Sequence, residues 1–121
     1  MKKQVIAVVD DLLFASKIRG AAAQAGAEVR FVKTAEALLE AARSAEPAAV
    51  VILDLQTSLL DPFAAAEMLK TDERASAASV VAFFPHVQAD LQRRARAAGI
   101  EHVLPRSVFN QRLLEIVGGD F

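Results

Sequence analysis

Cysteine is absent from the 121-residue chain, so disulfide bonds and thiolate metal sites are both excluded. Net charge is almost absent too: at −1, the chain has no bulk electrostatic attraction for DNA or an anionic membrane. No apolar stretch approaches the roughly 20 residues of a membrane-spanning helix. Where a glycine-rich phosphate loop would follow the first apolar run, Asp10 and Asp11 stand instead, which argues against flavin or nucleotide binding. We therefore expect a soluble, cytoplasmic protein with no nucleic-acid and no membrane partner.

The sequence does contain a regular alternation of short apolar runs and alanine-rich segments. The runs at 5–9, 50–53 and 80–84 are rich in β-branched residues and do not alternate with polar ones, which is typical of strands buried on both faces. Weaker strands are predicted at 28–32 and 102–104. Helices are predicted at 13–25, 35–45, 62–70, 88–98 and 109–117.

Several residues mark the ends of these predicted helices. Gly26 is a plausible C-terminal cap, Thr34 can cap the second helix, and Asp61 followed by Pro62 is a typical helix start. Five strands alternating with five helices predict an α/β fold, a doubly wound parallel sheet with helices on both faces. No linker or repeat divides the sequence, so residues 1–121 are expected to form one domain.

Three aspartates follow two of the predicted strands. In open parallel sheets, sites form beyond the carboxyl ends of the strands, so Asp10 and Asp11 should lie near Asp54 if the first and third strands are neighbours. Two carboxylates about 5 Å apart repel by roughly 3 kcal/mol at an effective dielectric of 20, which favours a proton or a cation between them. Mg²⁺ suits such carboxylates together with a backbone carbonyl such as that of Gln56. The alternative is that Asp10 or Asp11 only caps the following helix.

These residues also carry a resemblance. Val-Val-Asp-Asp at 8–11, Val-Ile-Leu-Asp-Leu at 51–55 and Ala-Ala-Gly at 97–99 resemble the receiver domains of bacterial response regulators over nearly the whole chain. The resemblance implies a flavodoxin-like sheet in the order 2-1-3-4-5 and one receiver-like domain. It implies that Asp54 accepts a phosphoryl group from a histidine kinase or phosphotransfer protein in two-component signalling. It further implies an Mg²⁺ site formed by Asp11 directly, Asp10 through water, Asp54, and the Gln56 carbonyl.

The sequence departs from the family pattern at three positions. Phe84 stands in place of the usual Ser or Thr after the fourth strand, and no hydroxyl residue occurs in 81–89. Arg106, preceded by Pro105, stands in place of the usual Lys. Val103 occupies the position of a switching aromatic residue. Arg106 could bind the phosphoryl group, lock onto Asp54 and make the metal unnecessary, or be a solvated surface residue.

Two functions therefore remain open. The retained acids support a phospho-accepting receiver, whereas Phe84 and Arg106 support a pseudo-receiver, a protein-interaction module that needs no phosphorylation. Neither is an enzyme beyond self-phosphorylation at Asp54, and a hydrolase would need a general base or oxyanion donor that is not recognisable here.

The remaining signals concern partners. Arg93, Arg94 and Arg96 make the fourth helix basic, which indicates either a solvated face or a docking surface. In receivers, the face of the fourth helix, fifth strand and fifth helix commonly docks a downstream protein or a second copy, so a homodimer is a further possibility. His86 and His102 are weak metal candidates.

Overall fold

The computed structural model describes residues 2–46, 48–84 and 89–120. Within these residues, five strands alternate with helices, and two short helices close the chain. The elements are β1 (Lys3–Val8), α1 (Leu12–Ala25), β2 (Ala27–Phe31), α2 (Ala35–Ser44), β3 (Val50–Asp54), α3 (Pro62–Thr71), β4 (Ser79–Phe84), α4 (Ala89–Ala97), β5 (His102–Pro105), α5 (Arg106–Gln111) and α6 (Leu113–Val117). None of the helices described is long and apolar enough to span a bilayer.

The strands form one parallel sheet in the order β2-β1-β3-β4-β5, which confirms the predicted fold class and strand order. The register places Val8 of β1 beside Leu53 of β3 and Asp54 beside Phe83 of β4. Because neighbouring parallel strands end at the same edge, the segments after β1 and β3 leave the sheet side by side.

The sheet is covered on both faces because its central strands are apolar at successive positions. One hydrophobic cluster lies between the sheet and α2, α3 and α4; the other lies between the sheet and α1, α5 and α6. Alanines at helix positions such as Ala22, Ala66 and Ala95 allow the helices to approach the sheet closely. Among the described residues, no polar or charged residue is fully buried. Polar chemistry is therefore confined to the edges and outer faces.

Local sequence signals account for most element ends. Asp61 Oδ1 accepts hydrogen bonds from the backbone of Phe63 and Ala64, Thr34 Oγ1 accepts one from Ala37, and Gly26 ends α1 at a φ of 71°. All three caps were predicted from the sequence.

The last predicted helix, 109–117, needs correction. Helical structure begins earlier, at Arg106, and is interrupted at Arg112, where φ is −100° and ψ is 13°. The early start was missed because Pro105 offers no side-chain cap and 106–108 carry no clear apolar period. The predicted start of the fourth helix, Gln88, lies outside the described residues.

Candidate functional site

The candidate site lies where β1 and β3 end. Asp54 is the last residue of β3, and Asp10 and Asp11 follow β1 by two and three residues. The three carboxylates are close enough that the charges of Asp10 and Asp11 affect the pKa of Asp54. The sequence predicted that these three residues lie close together, and the parallel pairing of β1 with β3 is what brings them together.

Asp54 is half-buried at the centre of this edge. The Leu55 N–H donates to the Phe83 carbonyl (3.0 Å), which continues the ladder between β3 and β4 past Asp54. Asp54 Oδ1 accepts a hydrogen bond from the backbone N–H of Gln56 (2.9 Å). Burial raises the pKa of Asp54, and the charges of Asp10 and Asp11 raise it further, although the Gln56 hydrogen bond and Arg106 act in the opposite direction.

Asp10 is held by the loop that follows Asp54. The hydroxyl of Thr57 donates to Asp10 Oδ1, and Ser58 donates to Oδ2 through its backbone N–H (3.0 Å) and its hydroxyl (2.8 Å). Partial burial works to raise the pKa of Asp10, but these hydrogen bonds outweigh it, so the pKa is lowered. Asp10 is therefore an ionised carboxylate that ties the β3–α3 loop to the end of β1.

Asp11 accepts three hydrogen bonds, and its two oxygens serve different purposes. Oδ1 caps α1 by accepting from the backbone of Leu13 (2.9 Å) and Phe14 (3.1 Å), and Oδ2 accepts from the Arg106 guanidinium at 2.8 Å. The Arg106 hydrogen bond is the main reason that the pKa of Asp11 is lowered. Asp11 thus caps the following helix, but it does not only cap it, because its other oxygen forms an ion pair.

One hypothesis from the sequence was that Arg106 pairs with Asp54. In the structure it does not. Its ion pair is with Asp11, and the guanidinium carbon also lies 4.5 Å from the centre of the Phe14 ring. The physical reason is that Asp11 and Phe14, at the start of α1, offer a free carboxylate oxygen and a ring face together. Arg106 still lowers the pKa of Asp54 through its charge, so it belongs to the site.

Phe84 is an ordinary core residue. Its side chain is 1 % exposed and belongs to the cluster under α2, α3 and α4. Val103 is buried in the same cluster. Neither residue offers a hydroxyl or a mobile aromatic ring to the site.

Two hydroxyl residues near Asp54 were missed by the sequence reasoning. Thr57 and Ser58 stand three and four positions after Asp54 and donate hydrogen bonds to Asp10, whereas the family pattern places its hydroxyl at the end of the fourth strand. The sequence signal that could have identified them is the Thr-Ser pair itself, which lies in a short loop just after a strand that ends in an aspartate. Phe14 was also missed, because only the structure shows its ring under Arg106.

The resting arrangement does not fit the predicted metal set of Asp10, Asp11, Asp54 and the Gln56 carbonyl. Among the described residues, no group of three or more His, Cys, Asp and Glu side chains is placed to hold a metal ion. All four oxygens of Asp10 and Asp11 already accept hydrogen bonds from protein groups. A Mg²⁺ ion bound by this set would share these oxygens with the protein donors and would lie beside the Arg106 guanidinium.

The basic cluster on α4 is not part of this site, and its three arginines have different surroundings. Arg94 stacks on the ring of Phe63 at 4.2 Å, and Arg93 pairs weakly with Asp90 on the same helix. Arg96 lines an open cavity of about 780 Å³ together with Lys70 and Glu101, which form an ion pair of their own. His86 lies outside the described residues.

Comparison with known proteins identifies the fold. No protein-family model and no curated protein matches the sequence. The structure is similar to the chemotaxis response regulator CheY4 of Vibrio cholerae (16 % identity, all of both chains covered, TM-score 0.81). It is also similar to the phosphorylated cyanobacterial phytochrome response regulator RcpA (20 % identity, 98 % of this chain and 91 % of that one, TM-score 0.78). A third similar structure is the receiver domain of a Pseudomonas aeruginosa sensor histidine kinase with magnesium in its active-site cleft (16 % identity, 98 % and 99 % coverage, TM-score 0.76). The chain therefore has the fold of response regulator receiver domains.

Proposed function

We propose that the chain is a receiver domain of two-component signalling in which Asp54 accepts a phosphoryl group. The observation that carries this proposal is the setting of Asp54 itself. It is a half-buried carboxylate at the end of a central strand, and among the described residues only Gln56 donates a hydrogen bond to it. One carboxylate oxygen is thereby oriented, and the other is left for chemistry.

The proposed reaction is a phosphoryl transfer from a phosphohistidine. An oxygen of Asp54 attacks phosphorus, a P–O bond forms, and the P–N bond breaks with its electron pair returning to the imidazole. Such transfers depend mainly on positioning and charge neutralisation. Arg106 pairs with the neighbouring carboxylate of Asp11, and its charge lowers the pKa of Asp54, so we assign it the neutralising role that lysine has in the family the chain resembles.

The same proposal covers the partners and the location of the chain. The phosphoryl donor is a histidine kinase or a phosphotransfer protein, and a downstream protein or a second copy docks on the α4–β5–α5 face. The proposed location is cytoplasmic. Two of the similar structures support the proposal: that of RcpA is phosphorylated, and the Pseudomonas receiver domain has magnesium in its active-site cleft. Phe84 and Val103 are buried core residues, so the signal must leave the site by another route than a hydroxyl and a mobile aromatic ring.

Incubation with acetyl phosphate, with and without Mg²⁺, followed by intact mass measurement tests the proposal. We expect the mass of one phosphoryl group on the wild type and none on Asp54→Asn. Asp61→Asn is the matched control, because Asp61 is an exposed carboxylate in the same loop and should leave the modification intact.

Two outcomes would contradict the proposal. If the wild type gains no mass under either condition, the alternative of a phosphorylation-independent interaction module is favoured. If Asp54→Asn gains as much mass as the wild type, the acceptor is another residue.

A further inference from the structure

The side chain of Arg106 is held from two directions. On one side, Asp11 Oδ2 accepts its hydrogen bond at 2.8 Å. On the other side, the guanidinium carbon lies 4.5 Å from the centre of the Phe14 ring. A planar guanidinium can form both contacts at once, since it stacks on a ring while its edge donates hydrogen bonds.

The ring beneath Arg106 is itself fixed by packing. Phe14 is 3 % exposed and contacts Phe83 and Phe109, with ring centres 4.9 Å and 5.6 Å away. Phe83 and Phe109 lie 4.8 Å apart, so the three rings form a closed trio in the core under α1, α5 and α6. The platform for Arg106 is thus part of the hydrophobic core rather than a mobile surface side chain.

The contacts of Asp10 and Asp11 affect whether a metal ion can bind at this edge. Asp11 uses Oδ1 for the cap of α1 and Oδ2 for Arg106, and Asp10 uses both oxygens for Thr57 and Ser58. Mg²⁺ needs a near-octahedral set of oxygens and gives up its waters reluctantly. A divalent ion bound to Asp11 at this edge would therefore lie beside the guanidinium and compete with it for the same carboxylate.

We infer that Arg106 is the resident counter-ion of the acidic site, that Asp11 and Phe14 are its positioning residues, and that it weakens divalent metal binding by occupying the cation's place. This inference rests on the proposed function, because the resident cation matters for phosphoryl transfer only if Asp54 is the acceptor. The metal-binding measurement itself involves no phosphoryl donor, so the two can fail separately.

Titration calorimetry with Mg²⁺ tests the inference on the full chain. We expect Arg106→Gln to bind Mg²⁺ at least about tenfold more tightly than the wild type, because the positive charge that competes for Asp11 is removed. Arg106→Lys should lie between the two, since it keeps the charge but loses the planar contacts. Arg93→Gln is the control, because it removes an exposed arginine of α4 and should leave the affinity unchanged.

The positioning role of Phe14 has a test of its own. Phe14→Leu leaves the arginine in place but removes the ring face beneath it, so we expect tighter Mg²⁺ binding than in the wild type. Loss of folded structure would weaken metal binding, which is the opposite direction. Phe83→Leu is the matched control, because it disturbs the same three rings but leaves the contact between Arg106 and the Phe14 ring in place.

Two results would overturn the inference. One is equal Mg²⁺ affinity in the wild type and Arg106→Gln. The other is an equal gain in affinity in Phe14→Leu and Phe83→Leu, which would assign the effect to core loosening. Mass gain from acetyl phosphate in the wild type with either result would leave the phospho-acceptor proposal standing.

Discussion

At the scale of single residues, Asp54 and Asp11 have carboxylates whose pKa values are shifted in opposite directions by the fold. Burial raises the pKa of Asp54, so its protonated form stabilises the folded state below the ordinary aspartate pKa of about 3.9, and this contribution is lost as pH rises through the raised value. We expect Asp54→Asn to raise the free energy of unfolding at pH 7 and to have little effect in acid. The gain should stay below about 1 kcal/mol because solvent screens a partly exposed group.

Urea unfolding at a series of pH values measures this effect. Asp11→Asn is the control with the opposite sign, since the Arg106 hydrogen bond lowers the pKa of Asp11. The ionised Asp11 carboxylate adds to the free energy of unfolding above the ordinary aspartate pKa, and this contribution is lost as pH falls through the lowered value. Asp11→Asn should therefore destabilise the protein at pH 7. A loss of stability at neutral pH in Asp54→Asn would contradict the interpretation of its environment.

At the scale of elements, the start of α3 depends on one carboxylate. Asp61 accepts from Phe63 and Ala64 at 3.0 Å and 3.1 Å, and Pro62 occupies the first helical position. We expect Asp61→Ala to reduce the free energy of unfolding by about 1 kcal/mol, and Asp61→Asn to reduce it much less, because Asn caps nearly as well. Denaturant unfolding of both variants measures this, and equal losses would show that charge rather than capping matters.

Helix ends were predictable where a capping side chain or a glycine marks them, and not where the chain turns without either. Thr34 and Asp61 were recognised from the sequence, whereas the interruption at Arg112 has no residue signal that distinguishes it from a continuous helix. The contacts of the β3–α3 loop were not predictable either. Its sequence contains hydroxyl residues, but only the path of its backbone shows that Thr57 and Ser58 reach Asp10.

At the scale of the whole molecule, Phe84 shows why the missing hydroxyl cannot be restored by one substitution. It lies at the end of β4 beside Pro105 and is buried in the larger of the two hydrophobic clusters. We expect Phe84→Thr to lower the free energy of unfolding by about 3 kcal/mol or more, out of a total of about 5–15 kcal/mol. Chemical denaturation measures the loss.

Phe31→Thr provides the comparison for this variant. Phe31 also lies in a strand, but it is only partly buried on the edge strand β2, beneath Arg19. Its replacement should therefore cost clearly less than that of Phe84. Similar losses in the two variants would show that Phe84 is not the core residue described above.

The sheet and the convergence of the acids could be predicted because both follow from apolar runs and the rules of parallel connections. Asp10, Asp11 and Asp54 had to meet once β1 and β3 were neighbours. The partner of Arg106 could not be predicted, since the choice between Asp11 and Asp54 depends on where α1 places the Phe14 ring. The metal set was predicted from ligand chemistry together with the resemblance to receiver domains, and neither reveals that protein donors also use the same oxygens.

The hydrogen bond between Arg106 and Asp11 joins residues 95 positions apart. Closing a loop of this length costs more entropy than forming a local contact, so we expect this contact to form late in folding. Until the chain has placed α5, Asp11 lacks its Arg106 partner and the acidic edge is more negative than in the folded protein.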